Sequence, residues 1–295
     1  MNETKNGPLR LGFIGLGLMG MPMMLRLLNY GFDVIVWNRS NSKYNTAVQA
    51  GAAWVESIRQ LSEQSDVIML CLSDTAAVEQ VVFGEDGVAA GGGQGKVLLD
   101  FSSIDPEKTR QFASRLKSER GMQWIDAPVS GGVAGAEQGE LIIMAGGDEK
   151  VLKFLAPVFQ PLAKRVTYMG DVGAGQTTKL CNQMIVGCNA LVIAEMVALA
   201  RKAGVMVEKL PEALKGGFAD SKPFQILVPQ MSDHDFTLKW RVTTVLKDIE
   251  GALKLAQDLE STTPMLQLGT QLMSDHGAQG HLDDDLSTLV GYFED

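Results

Sequence analysis

The first half of the chain alternates short apolar runs with stretches in which apolar residues recur every three or four positions, the pattern of a parallel sheet covered by helices. Strands are expected at 11–14, 34–37, 67–72, 97–100, 124–126, 141–145 and 166–168, with a helix over 19–28 after the first. Gly31 and the run Gly91, Gly92, Gly93 supply turns between them. The expectation for 1–170 is a doubly wound α/β domain. Beyond Gly170 the period changes to that of helices alone, so 171–295 reads as an all-helical domain. Its first element is a long interdomain helix over 176–203, which at ~1.5 Å per residue would run ~42 Å. Arg201 and Lys202 stand in its last turn, where cations offset the helix dipole, and Gly204 ends it. Ile185, Val186, Leu191, Val192, Ile193, Met196 and Val197 wrap most of its circumference, which predicts burial on several sides and a homodimer or homotetramer.

Size and charge narrow the picture. A chain of 295 residues exceeds one ordinary core, and a prior of ~150 residues per domain also points to two. Apolar residues at 45% and charged residues at 21% describe a globular protein rather than a disordered one. The net charge of -9 argues against binding to nucleic acid, whose phosphates demand a basic surface, but allows a small anion held locally. Cys71, Cys181 and Cys188 all lie in apolar runs without disulfide-like spacing, which suits the cytoplasm, and Cys181 and Cys188 are expected in the core. No apolar run reads as a membrane span, and residues 1–8 read as a loose end without a signal peptide.

Chemistry enters at Gly15, Gly17 and Gly20, a G-x-G-x-x-G that follows a strand and opens a helix. The first glycine permits a tight turn, the second lets backbone approach a pyrophosphate, and the third allows close helix packing, with the helix N-terminus facing the negative charge. A purely structural turn is the competing reading. With the alternating pattern around it, the motif predicts a Rossmann-type domain in which Gly15, Leu16, Gly17, Leu18, Met19 and Gly20 surround a dinucleotide; Met19 fits packing equally well. The second strand ends in Trp37, Asn38, Arg39, Ser40 without the carboxylate that binds the ribose hydroxyls of NAD. Arg39 can take a 2'-phosphate and Asn38 and Ser40 can add hydrogen bonds, so NADP(H) is preferred, with NAD(H) possible. Leu72, Ser73 and Asp74, and Ser102 with Ser103, follow later strands and either line the same crevice or cap helices.

Two polar clusters are candidates for the reaction. Lys179, Asn182 and Gln183, at i, i+3 and i+4, share one face of the long helix. Carbonyl reduction needs a proton donor beside the oxygen, and a partly desolvated lysine can serve, with the two amides orienting ammonium or substrate; a solvated first turn is the plain alternative. Ser130, Gly131 and Gly132, after a strand, offer a hydroxyl and exposed N–H groups that could hold a carboxylate, or simply a connecting turn.

These pieces together resemble the β-hydroxyacid dehydrogenase family, which includes 3-hydroxyisobutyrate dehydrogenase, tartronate semialdehyde reductase and 6-phosphogluconate dehydrogenase. The resemblance spans nearly the whole chain through GFIGLGLMGMPM (12–23), DFSSIDP (100–106), DAPVSGG (126–132), GAGQTTKLCNQ (173–183) and LKDIEGAL (246–253). It implies hydride transfer between NADP(H) and a three- or four-carbon hydroxy acid or its semialdehyde, in a cleft between domains. Lys179 would be the acid/base, Ser130, Gly131 and Gly132 the carboxylate anchor, Ser103 a cofactor contact and Lys247 a neighbour of the nicotinamide. LKGGFADS (214–221) and the Asn182, Gln183 pair are most similar to tartronate semialdehyde reductase. Two departures bear on the substrate pocket. Gln183 stands where many members have asparagine, and 235–240, which includes Phe236 as a candidate substrate contact, replaces a common Pro-Gly-Phe run. Imine reduction and a catalytically inactive NADP-binding scaffold are the alternatives; relatives of those kinds lack the lysine. His234, His276 and His281, with Asp283, Asp284 and Asp285, read as surface charge rather than a metal site.

Overall fold

The computed structural model describes residues 9–294. Residues 1–8, and with them the expected loose end, lie outside the described residues. The chain forms two compact units, one running up to Lys179 and one from Leu180.

The first unit is built on β1 (Arg10–Ile14), β2 (Asp33–Trp37), β3 (Ala53–Trp54), β4 (Val67–Leu70), β5 (Val97–Asp100), β6 (Gln123–Asp126), β7 (Val129–Ser130), β8 (Leu141–Gly146) and β9 (Ala163–Gly170). They form one sheet in the order β3-β2-β1-β4-β5-β6-β8-β7, with β9 also paired to β8. From β3 to β6 every pairing is parallel; β8 runs antiparallel to β6 and β7 and parallel to β9. The order 3-2-1-4-5-6 reverses direction between β1 and β4, and such a switch point opens a crevice beyond the carboxyl ends of the strands. Both faces of the central strands are buried, which is why they read as continuous apolar runs. Leu11, Phe13, Val67, Met69, Val97 and Leu99 enter one core layer, while Ile14, Ile68, Leu70 and Leu98 enter the other. The two-residue strands β3 and β7 carry too little pattern to be foreseen. β4 stops at Leu70, short of the expected 72, because Leu72 leaves the ladder to donate its N–H to Ser102 Oγ at 2.9 Å.

The long helix, Ala174–Lys202, begins in the first unit and continues into the second. Its opening turn is hydrogen-bonded to Asp126 at the end of β6, so its first residues count with the first unit. In the second unit Ala190, Leu191, Ile193, Ala194 and Val197 of this helix pack with the helices Lys222–Asp233, Val242–Asp258, Pro264–His276 and Leu289–Glu294. By length and composition alone the long helix could cross a membrane; burial of its apolar residues in this core accounts for the same composition. Gly187 permits the closest approach, since a Cβ there would meet Ile249 Cγ2 at 2.7 Å. Arg201 donates to the carbonyls of Met231 and Ser232 at 3.1 and 3.2 Å, closing the end of the neighbouring helix. Ile185, Val192 and Leu199, spaced by seven, stay more than half exposed, and Cys181, expected in the core, is exposed as well.

Candidate active site

The glycine turn after β1 fits a dinucleotide pyrophosphate by what surrounds each glycine. Gly15 has φ +98°, and a Cβ on it would lie 2.3 Å from the carbonyl of Cys71. At Gly20, the first residue of the helix Gly20–Asn29, a Cβ would lie 1.9 Å from the Gly15 carbonyl. Gly17 is different: nothing stands within 4 Å of where its Cβ would be. Two glycines are therefore required by the fold, and the third keeps backbone open toward a ligand. Leu16 is a core side chain whose N–H is donated to Asn38 Oδ1 at 2.9 Å, Leu18 is 82% exposed and Met19 is half-buried against the core.

Asn38 also donates to the Ser40 carbonyl at 2.9 Å, so its amide braces the loop after β2 against the glycine turn. This leaves the exposed Arg39 and Ser40 as the groups of that loop that face solvent. After β4, Ser73 donates to Asp74 at 2.6 Å, and Asp74 accepts the N–H of Ala77 to cap the helix Thr75–Phe83. Ser102, expected to touch the cofactor, is instead 2% exposed: its Oγ is committed to Leu72 N–H and its N–H to Asp100 Oδ1 at 2.9 Å. The Ser102 hydroxyl thus ties together the loops that follow β4 and β5. Ser103, in the same loop, is half-buried.

Beneath these loops lies a buried polar network. Gln176 donates through Nε2 to the Ser102 carbonyl at 2.7 Å and accepts the Ile104 N–H at 3.1 Å. Asp126, at the end of β6, accepts the N–H of Gly173 at 2.8 Å through Oδ1 and that of Gln176 at 2.9 Å through Oδ2. Burial pushes the Asp126 carboxyl above its ordinary range, and the two N–H groups pull it back. Asp100 is pushed up to about 7, first by burial and in smaller part by Asp126, against the hydrogen bonds from Ser102; its Oδ2 is buried and accepts no hydrogen bond among the described residues. Burial and Asp100 together hold the Cys71 thiol at about 12, so it stays protonated and inert. None of Asp100, Asp126 and Gln176 was given a role from sequence, although each lies inside or beside a quoted motif; a buried acid at a strand's carboxyl end was the available signal.

Lys179 follows one turn after Gln176 and is 9% exposed. Beyond β6, the short strand β7 ends in Ser130, half-buried, and is followed by Gly131 and Gly132, both exposed with φ +133° and +63°. Gly131 precedes and Gly132 begins the helix Gly132–Gln138, whose first N–H groups have no acceptor within the helix itself.

In the second unit Asn182 donates to Gln183 Oε1 at 2.8 Å, and Gln183 donates to Asp248 Oδ2 at 2.6 Å. Lys247 lies 3.2 Å from Asp248 Oδ1. Asp248, 5% exposed, thus holds both the Gln183 amide and the Lys247 ammonium, and sequence reading missed it. Its spacing among Val245, Ile249 and Ala252, on the buried face of the helix Val242–Asp258, was the available sign. Phe236 is 40% exposed and packs edge-on against His234. The cluster near the C-terminus is not simple surface charge: Asp285 and His276 are each 2% exposed, Asp285 takes the N–H groups of Lys239 and Trp240, and burial and His281 lower His276 to about 4. Among the described residues no three His, Cys, Asp or Glu side chains gather as a metal site.

Comparison with known proteins agrees with this geometry. Residues 10–170 match the NAD-binding domain of 6-phosphogluconate dehydrogenase, and residues 173–293 match the NAD-binding domain of NADP-dependent 3-hydroxyisobutyrate dehydrogenase. The chain is 38% identical to 2-hydroxy-3-oxopropionate reductase of Escherichia coli over 97% of each protein. Among solved structures it resembles Mycobacterium tuberculosis 3-hydroxyisobutyrate dehydrogenase with L-serine, at a TM-score of 0.89 and 27% identity over 98% of this chain and 100% of the other. It also resembles Psf3 in complex with NADP+ and 2-OPP, at a TM-score of 0.85 and 25% identity over 96% and 98%.

Proposed function

The chain belongs to the β-hydroxyacid dehydrogenase family and is an NAD(P)-dependent hydroxyacid dehydrogenase, and from that footing we propose that it interconverts a three- or four-carbon hydroxy acid and its semialdehyde with NADP(H), Lys179 carrying the proton. The observation that carries this reading is a lysine 9% exposed, one turn into a helix whose start is bonded to the loops ending β5 and β6. In the reducing direction a nicotinamide cofactor, when bound, would supply hydride to the carbonyl carbon. The chain's part is to anchor the substrate carboxylate on the N–H groups of Gly131 and Gly132 and the Ser130 hydroxyl, and to pass a proton from the Lys179 ammonium to the carbonyl oxygen. Oxidation reverses both steps, the neutral amine then accepting the alcohol proton.

The choice of NADP(H) rests on the exposed Arg39 and the absence of a carboxylate at the end of β2; the related Psf3 was captured with NADP+. The relative of E. coli makes 2-hydroxy-3-oxopropionate the first substrate to try. A pair of identical chains is also part of the proposal, joined over the apolar stripe Ile185, Val192 and Leu199.

Lys179→Ala tests the central claim. General acid–base catalysis contributes about 10²–10⁴-fold, so turnover of the semialdehyde falls by that factor while NADPH titrated by fluorescence binds with nearly unchanged Kd. Turnover within a few-fold of the parent enzyme removes Lys179 from the mechanism.

A further inference from the structure

The start of the long helix is held in an unusual way. Elsewhere in the first unit Ser57, Asp74, Asp105 and Asp148 each cap the helix that they themselves begin. The long helix has Gly173 at that position, and its first N–H groups are taken by a carboxylate 47 residues earlier in the chain. A local cap satisfies the helix end but leaves its place in space free. Asp126 does both, because its own backbone is the last residue of β6.

The surroundings leave no slack in that contact. A Cβ on Gly175 would lie 2.4 Å from the Met144 carbonyl and 2.8 Å from Asp126 Oδ2, and one on Gly146 would lie 2.7 Å from Asp126 Oδ1. Two glycines therefore let the helix start, β8 and the carboxylate come together at backbone distance. Gln176 adds a second tie, to Ser102 and Ile104 of the loop after β5. Thr177 closes the first helical hydrogen bond on the Gly173 carbonyl at 2.9 Å, so the helix is regular from the capped residue onward. Lys179 is three residues past Gln176, a rise of ~4.5 Å along a rigid rod. Any shift of the helix start is passed to it undiminished.

Given the reading of Lys179 as proton carrier, we propose that Asp126 is a positioning residue: by capping the long helix from the end of β6, it sets Lys179 against the Ser130–Gly132 segment, which follows four residues later at the end of β7. One carboxylate thereby fixes the distance between the group that moves the proton and the groups that hold the substrate. Gln176 sets the same helix against the cofactor loops. Reaction geometry is steep in distance, a misplacement of ~1 Å costing on the order of 10²-fold in rate.

The test is Asp126→Asn, which keeps the shape but replaces one acceptor oxygen by a donor facing an N–H. The expected result is a kcat lower by about 10²-fold, with the KM for NADPH within about twofold of the parent. The solvent deuterium isotope effect on kcat should rise, because proton transfer becomes the slow step. Hydrogen exchange followed by mass spectrometry should show faster exchange in 173–178 and little change in 10–40. If Asp126→Asn does not fold, Gly175→Ala pushes the helix start away from Met144 and Asp126 and is read by the same measurements. A kcat within twofold of the parent, or a loss of kcat with an unchanged solvent isotope effect, overturns the proposal. Lys179→Ala separates the two claims: if it stays active the acid/base reading itself falls, whereas an inactive Lys179→Ala beside a normal Asp126→Asn removes only the positioning role.

Discussion

The glycine turn and the start of the long helix are both places where backbone N–H groups wait for a negative charge, yet they are built by opposite means. In the turn the determinants lie within six consecutive residues, and the open side of Gly17 leaves the charge to be brought by a ligand. At the helix start the charge is already there, carried by Asp126 from another strand, and Gly175 is closed over it. A helix N-terminus is thus a binding site when its surroundings are open, and a rigid joint when they are filled by the chain's own carboxylate.

Substitutions can break this comparison. The largest effect is expected for Gly20→Ala, whose Cβ would lie 1.9 Å from the Gly15 carbonyl: the turn must deform, cofactor binding falls by more than about 10²-fold, and the thermal midpoint drops as overpacking costs ~1–3 kcal/mol. Gly17→Ala should separate the two functions of the turn, weakening NADPH binding about tenfold or more while leaving the thermal midpoint within about 2 °C, since its Cβ meets no protein atom. Equal loss of stability in both variants would mean that Gly17 is structural after all. Arg39→Ala is expected to weaken NADP(H) by about 10- to 100-fold, the worth of a hydrogen bond to a charged partner, and to leave NAD(H) unchanged in paired titrations. The same loss for both cofactors would assign the guanidinium to something other than the 2'-phosphate.

Asp100 sharpens the other side of the comparison through pH. Its folded pKa of about 7 lies above its ordinary value of 3.8, so from about pH 4 to 7 the folded state holds a proton that the unfolded state has released. This contribution is fully present below pH 4 and is lost as pH rises through 7, at a limiting slope of about 1.4 kcal/mol per pH unit. Asp100→Asn, neutral at every pH, should flatten the fall in stability between pH 4 and 7 measured by urea unfolding. An undiminished slope would place the titration on another group.

What could be read from residues alone followed how local its cause was. The central strands were visible because both their faces are buried, which makes each an unbroken apolar run, and the long helix was visible because its periodicity spans eight turns' worth of sequence. β3 and β7, at two residues each, have no pattern to show. Ser102 illustrates the limit: its position after a strand suggested the cofactor, but only the approach of Leu72 and Gln176 shows that it faces inward. Asp285 is similar, for within Asp283, Asp284, Asp285 it looks like its neighbours, and burial against the 239–240 backbone sets it apart.

The alternation of short apolar runs with helical periods, together with the glycine spacing after the first run, was enough to specify a doubly wound sheet, a dinucleotide turn and a helical second half, because those depend on neighbours within a few residues. Which carboxylate would cap the long helix, which serine would be sealed away, and that Asp248 would hold Gln183 depended on residues 30 to 74 positions apart coming together. A polar side chain's partner is chosen by the folded surroundings and the cost of leaving it buried and unpaired, and a linear pattern carries no record of that choice.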